Sequence, residues 1–364
     1  DTVNLGNGTI VAADDFSIQG ASSIKLYGTA DTGTVFDANG HTITINAVLD
    51  AEGGGGSSAM TVRNGTVQQS GNMWIRRLNI AGDAAFVKDG VTVQGLSEAS
   101  VITYQGSGED KLDYSGNTHH EISDAAVQVN SASEKEVKTK LTNTSVENAG
   151  SGLLALSNSG NTLSGLHATG GNIKVTGIET AAVAELEIAV NKTITAANVV
   201  VGKLAELQAG ATLAGNLELA NSATIELGGT VTLEGVLTLQ AGLTLDGAVL
   251  DAVQGLEVGE SYTLFTGVNG LNVQNLQQAV TLYNMRSLAE QTNDAVSYSA
   301  LMDGEEVTAA DYFSNLSGNT GLVLSFNSAD GSVTIKNTQA VPEPTSATLS
   351  LLALAGLCAR RRRK

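Results

Sequence analysis

No cysteine occurs before Cys358 and no proline before Pro342. The first absence excludes disulfides and thiolate metal sites from everything upstream, and with them the small disulfide-stapled scaffold and the Cys-ligated zinc module. The second removes the residue with which globular domains commonly punctuate their loops, leaving Gly, Asn and Asp to make the turns. Aromatic residues are only 4% of the chain, so its core has to be aliphatic. Cations are scarce as well. Without the five that end the chain, 14 Lys and Arg face 37 Asp and Glu, a formal charge of −23. A body that acidic repels nucleic acid and anionic lipid, and neither is expected as its partner. The chain opens at Asp1 with no apolar leader, from which either a removed signal peptide or a fragment is expected.

Disorder is not the consequence. Charged residues are 15% of the 364, hydrophobic residues 42%, and 42 positions are Gly. Strand-length alternating runs recur between polar turns: Ser23 to Tyr27, Thr34 to Phe36, Thr42 to Ile45, then residues 74–80 and 91–95. The clearest rhythm falls at Leu217/Leu219, Ile225/Leu227, Val231/Leu233, Leu237/Leu239, Leu243/Leu245 and Val249. After one step of eight residues the interval is six. Two inward residues around an outward one, followed by a tight turn, describe one side of a coil whose strands stack about 4.8 Å apart. No rung buries its apolar side alone, so stacking must supply the stability.

The expected fold is therefore all-β: a β-solenoid, in the right-handed parallel form, with a β cap and a short hydrophobic helix at the carboxy end. The expected organisation is a solenoid body over residues 1–255, with an irregular excursion over about 105–145 where His119-His120-Glu121 and Glu134-Lys135-Glu136 concentrate charge. The cap is expected over 256–340, which holds Tyr262, Phe265, Tyr283, Tyr298, Tyr312, Phe313 and Phe326. A sorting tail fills 341–364.

That tail has three parts in order. Pro342-Glu343-Pro344 forms an extended, accessible tripeptide, since Pro fixes its own φ and biases the preceding residue away from helix. Thr345 to Ala359 is nearly uncharged and apolar, and Arg360, Arg361, Arg362, Arg363 and Lys364 end the chain. Its 15 apolar residues would reach roughly 22 Å as a helix, against a hydrocarbon core of about 30 Å. The terminal cations belong on the cytoplasmic side by the positive-inside rule. This arrangement resembles the PEP-CTERM sorting tail of exported Gram-negative proteins. The resemblance implies export, recognition of Pro342-Glu343-Pro344 by a membrane-embedded exosortase, and passage of the tail through the inner membrane before processing. The alternative is an ordinary tail anchor. The body is similar in texture to pectin-lyase-like β-helices and autotransporter passengers, including the Ser261-Tyr262-Thr263-Leu264-Phe265 run after the last coils.

Since such folds include polysaccharide lyases and hydrolases, carboxylate pairs matter. Asp14-Asp15 is the one adjacent Asp pair, and on a strand its side chains would face opposite sides. Trp74 with Arg76 and Arg77 is the basic-aromatic cluster of the body, able to stack a sugar ring and fork a carboxylate, or to serve as one buried anchor with two exposed charges. His119 with Glu121 could share a strand face but lacks a third metal ligand, and a solvated loop is the plainer reading. Gly53 to Ser58 lacks the Lys of a phosphate-cradling loop. No catalytic, metal or cofactor residues are assigned. The expected function is a structural or adhesive stalk at the cell surface or in the extracellular matrix, with extracellular polysaccharide as partner. The competing expectation is a carbohydrate-active enzyme, marked by a carboxylate pair with a nearby cation on one long face.

Overall fold

The computed structural model describes residues 1–338 except 21, 28–31, 51–58, 108–109, 117–118, 241, 275–297, 302, 304 and 317–320. The sorting-tail residues Pro342, Glu343, Pro344, Arg360, Arg361, Arg362, Arg363 and Lys364, the apolar helix expected between them, and the glycine run from Gly53 to Ser58 lie outside the described residues. No helix among the described residues is long and apolar enough to cross a membrane.

The chain is all-β and winds into a β-solenoid of about eleven turns. Each turn contributes a strand to each of three faces. In the first turn these are Thr2–Leu5, Gly8–Val11 and Phe16–Ile18, and the next turn lays Ser23–Leu26, Thr34–Asp37 and Thr42–Ile45 parallel to them. Two more turns follow, ending in Met73–Trp74, Arg77–Ala81 and Ala85–Lys88. Alternation places every second side chain inside, so Ile24, Leu26, Phe36, Ile43, Ile45, Leu49, Met60, Val67, Leu78 and Phe86 form one enclosed column. Each such side chain stabilises the stack by about 1.5–3 kcal/mol relative to exposure, before entropy is counted.

The chain then reverses. Lys88 pairs antiparallel with Val91 across Asp89 and Gly90, both in the left-handed region at φ 53° and 76°. Two successive positive φ values make the turn that matches strand twist in a two-residue hairpin, and Asp-Gly is suited to it. Val91–Gly95 runs backwards along the third face and Val101–Tyr104 backwards along the second, while Lys111 makes an antiparallel bridge with Trp74 on the first. His120–Ser123 and Ala125–Val129 lie antiparallel to this returning turn and restore the original direction.

From there the coils are shorter. Leu217 pairs with Leu237, Ile225 with Leu245 and Leu213 with Leu233, a repeat of twenty residues. The six-residue interval in the sequence is thus the step from one face to the next. Val249 leaves the ladder: it lies in the helix Gly247–Gln254, although it is still fully buried. After the helix, Ser261–Thr266 and Gly270–Gln274 stack parallel on Val231–Leu233 and Val236–Leu239. Buried Tyr312 and Phe313 close the third face, and the hairpin of Leu322–Asn327 and Ser332–Asn337 pairs antiparallel with Ser261–Thr266.

The excursion expected over about 105–145 is narrower than that range. The irregular part lies between Tyr104 and His120, whereas Lys135–Val137, Lys140–Thr142 and Thr144–Asn148 are strands of regular coils. Their charges occupy outward positions and strand ends around buried Val137, Leu141 and Val146, so charge density there reflects the outer surface of a coil and not a loop.

Candidate functional site

The most continuous chemical feature is a row on the third face. Cα pairing joins Gln128 to Glu147, Glu147 to His167, His167 to Glu187, Glu187 to Glu206, Glu206 to Glu226 and Glu226 to Asp246. Buried Val146, Leu166, Leu186, Ala205, Ile225 and Leu245 precede them on the same strands, so this row points outward. One acidic or imidazole group per turn therefore recurs at the strand spacing of about 4.8 Å.

Partners divide the row. Gln128 Nε2 donates to Glu147 Oε2 at 2.8 Å, and the Thr169 hydroxyl donates to the other oxygen at 2.6 Å. His167 Nδ1 lies 3.3 Å from Glu187 Oε2. Beside the row, Lys203 Nζ stands 2.5 Å from Glu185 and holds that carboxyl below its usual range. Glu206 is pushed up, first by partial burial and then by the charges of Glu187 and Glu226. Two carboxyls on one face thus have environments that move their protonation in opposite directions, the arrangement from which acid and base roles are made. A groove of about 270 Å³ opens over Gln128, Ser145, Glu147, His167 and Glu187.

The residues singled out in the sequence separate. Trp74 is half-buried on the first face beside Lys111, Arg77 begins a strand of the second, and Arg76 sits at the corner between them. The Arg76 guanidinium lies over the Tyr104 ring, 4.7 Å from its centre, and Arg77 Nε donates to Asn79 Oδ1 at 2.8 Å. The three do not converge on one pocket.

His119-His120-Glu121 is not a solvated loop. His120 is fully buried, with its ring 5.2 Å from that of Tyr104. Burial lowers its pKa, opposed by the Ile75 carbonyl and by Asp110. His119 is exposed and pairs with Asp110, whose carboxyl it holds low. Glu121 accepts from Lys140 at 3.1 Å and from the Thr142 hydroxyl at 2.5 Å. These residues lie on a strand whose alternation sends His120 inward and its neighbours out. Among the described residues no three His, Cys, Asp or Glu side chains come together to hold a metal ion. Asp14 and Asp15 are exposed, and Asp15 accepts from the Thr42 backbone N–H at 2.8 Å.

The third-face row went unread in the sequence because its members lie nineteen or twenty residues apart. The signal was present in the spacing of Glu147, His167, Glu187, Glu206 and Glu226, once a coil length is known. The reversal had a local signal, Asp89-Gly90 between alternating apolar runs. No protein-family model matches the chain, and neither a curated protein nor a solved structure does.

Proposed function

We propose that this chain is an exported β-solenoid displayed at the cell envelope or in the extracellular matrix, where it acts as a structural or adhesive stalk. Export machinery and an exosortase acting at Pro342-Glu343-Pro344 would deliver it, with Thr345 to Ala359 passing transiently through the inner membrane. The observation that carries the display reading is the tail sequence itself: tripeptide, short apolar run and terminal cations in that order. The fold is compatible with the role, since a continuous aliphatic column gives a rigid body whose outward rows repeat a side chain at every turn. The test is the intact mass and carboxy-terminal peptide of the protein recovered separately from envelope and medium of an exporting host. Chains ending near Pro342-Glu343-Pro344 are expected. An intact Lys364 terminus confined to membranes would replace exosortase processing with a simple anchor.

A second reading has its own observation. The opposed environments of Glu206 and Glu185, with Lys203 between the two strands, are what a glycoside-cleaving site on this face would use. Incubation of the full chain with a panel of polysaccharides, comparing wild type and Glu206→Gln, decides it: depolymerisation abolished by the substitution would establish an enzyme, and no chain shortening by either protein would leave the stalk.

A further inference from the structure

The chain reversal makes the one region where this acidic body gathers positive charge. Seven of its fourteen cations lie between residues 76 and 140: Arg76, Arg77, Lys88, Lys111, Lys135, Lys138 and Lys140. Three of them line a single cleft of about 570 Å³, together with Ser70, Asn72 and Asp89. That volume suits a small polar ligand or one unit of a polymer. We propose that this cleft binds a carboxylated saccharide, held by Lys88, Lys111 and Lys135 with Trp74 as the flanking ring.

Lys88 is built into the fold and not draped over it. Its side chain is 6% exposed, because its strand position faces the core and only its end reaches the corner. Its ammonium donates to the Gly71 carbonyl at 3.2 Å and to Asp89 Oδ2 at 2.8 Å, two acceptors for three protons. Lys135 Nζ reaches the Asp89 carbonyl at 3.0 Å. Asp113 also lines the cleft, but one of its oxygens already accepts from the Ser115 N–H, the Gly116 N–H and the Ser115 hydroxyl. Three ammoniums against two carboxylates, one of them committed to its own turn, leave the cleft positive within a negative body.

A second observation points to polar occupancy. Gln69 Oε1, the Tyr114 hydroxyl and Thr139 Oγ1 are buried around this seam with no hydrogen-bond partner among the described residues. Buried polar atoms are usually satisfied, so a group of orphans marks a place where the fold serves something other than its own packing. Gln69 is the strand partner of Lys88, Asp89 raises the pKa of Tyr114 alongside its burial, and Thr139 N donates to the Tyr114 carbonyl, which places all three beneath the cleft wall.

The geometry favours a sugar acid over a phosphate. Separate ammonium groups meet a carboxylate as point charges, whereas phosphate sites draw on helix N-termini, backbone nests or an arginine fork, none of which lines this cleft. Trp74 and Lys111, paired in an antiparallel bridge, project on the same side of the first face. A pyranose stacked on the indole would carry its carboxylate toward Lys111, with its hydroxyls toward Ser70 and Asn72.

Trp74 is the single tryptophan of the chain, so its fluorescence reports on the site directly. The full-length protein is titrated with trigalacturonate, maltotriose and inorganic phosphate, with calorimetry alongside. A saturable response to trigalacturonate alone is expected, weakened by added salt and by about tenfold or more in Lys111→Ala/Lys135→Ala. Lys174→Ala/Lys192→Ala, in the later coils, should bind as wild type. Exposed Lys111→Met alone, checked for an unchanged melting temperature, serves if the double variant is unstable. Absence of binding by both methods, an unaltered affinity in the lysine variants, or equal saturation by phosphate would each overturn the assignment. The inference deepens the adhesive reading by naming what is held. Binding is measured on purified protein, so its failure leaves export untouched, and failure of tail processing leaves the cleft standing.

Discussion

The two stacks flanking the reversal enclose the same kind of column with different lengths of chain. Before it, Gly8 stands beside Thr34 and Thr34 beside Met60, twenty-six positions apart each time. After it, Leu217 stands beside Leu237 and Thr224 beside Thr244, twenty apart. The surplus in the first stack goes into the turns and leaves the inward residues in place. A tight coil holds its outward rows in strict register, which is why the acidic row of the third face belongs to the second stack. A loose coil can lend its corners to a cleft.

The comparison can be broken most forcefully from inside. Ile225→Asp would bury a charge between Ala205 and Leu245 and should cost about 4 kcal/mol or more, with cooperative loss of the later coils. Ile43→Asp should do the same to the earlier stack while leaving the later one protected. Limited proteolysis followed by peptide mapping distinguishes the two, and uniform digestion of both stacks in either variant would show that they do not melt separately. Next comes the turn between them. Gly90→Val forces a β-branched residue to φ 76° and places its Cβ 3.3 Å from the Asn130 carbonyl, at an expected cost of about 1–3 kcal/mol in thermal unfolding.

Smaller effects sharpen the contrast within the acidic row. Glu206 has its folded pKa raised above the usual 4.5, so the folded state binds its proton more tightly than the unfolded state. Its contribution is present below the unfolded value and is lost as pH rises through the folded one. Glu206→Gln should therefore raise the melting temperature at pH 7 and not at pH 3. Glu185 has the opposite sign: its contribution is present above the unfolded value and falls away on acidification. Lys203→Ala should be the mildest change, about 0.2–1 kcal/mol, because Lys203 is 71% and Glu185 41% exposed. Equal pH slopes for the Glu206 and Glu185 variants would remove the contrast.

Much of the fold was legible because stacking writes its rule locally. Leu217, Leu219, Ile225, Leu227, Val231 and Leu233 announced their inward direction within a few residues, and all are buried. The coil length was not legible, since two or three faces per turn fit the same six-residue interval. Without it, Glu147, His167, Glu187, Glu206 and Glu226 look unrelated. His120 was misread because adjacent polar residues suggested a loop, while strand alternation buries one of each pair. Trp74 was rightly singled out, but its charged neighbour in space is Lys111, brought back by a chain reversal that no helical or strand periodicity records.

That reversal also changes chirality. The earlier turns visit the first, second and third faces in that order, and the turn through Val91–Gly95, Val101–Tyr104 and Lys111 visits them in the opposite order while the stack keeps advancing. One turn of the superhelix therefore winds with the opposite hand to its neighbours. A chain that grows by adding coil upon coil cannot make such a turn as a continuation of the last. The two stacks are then separate nuclei, and the inverted turn is the splice that joins them.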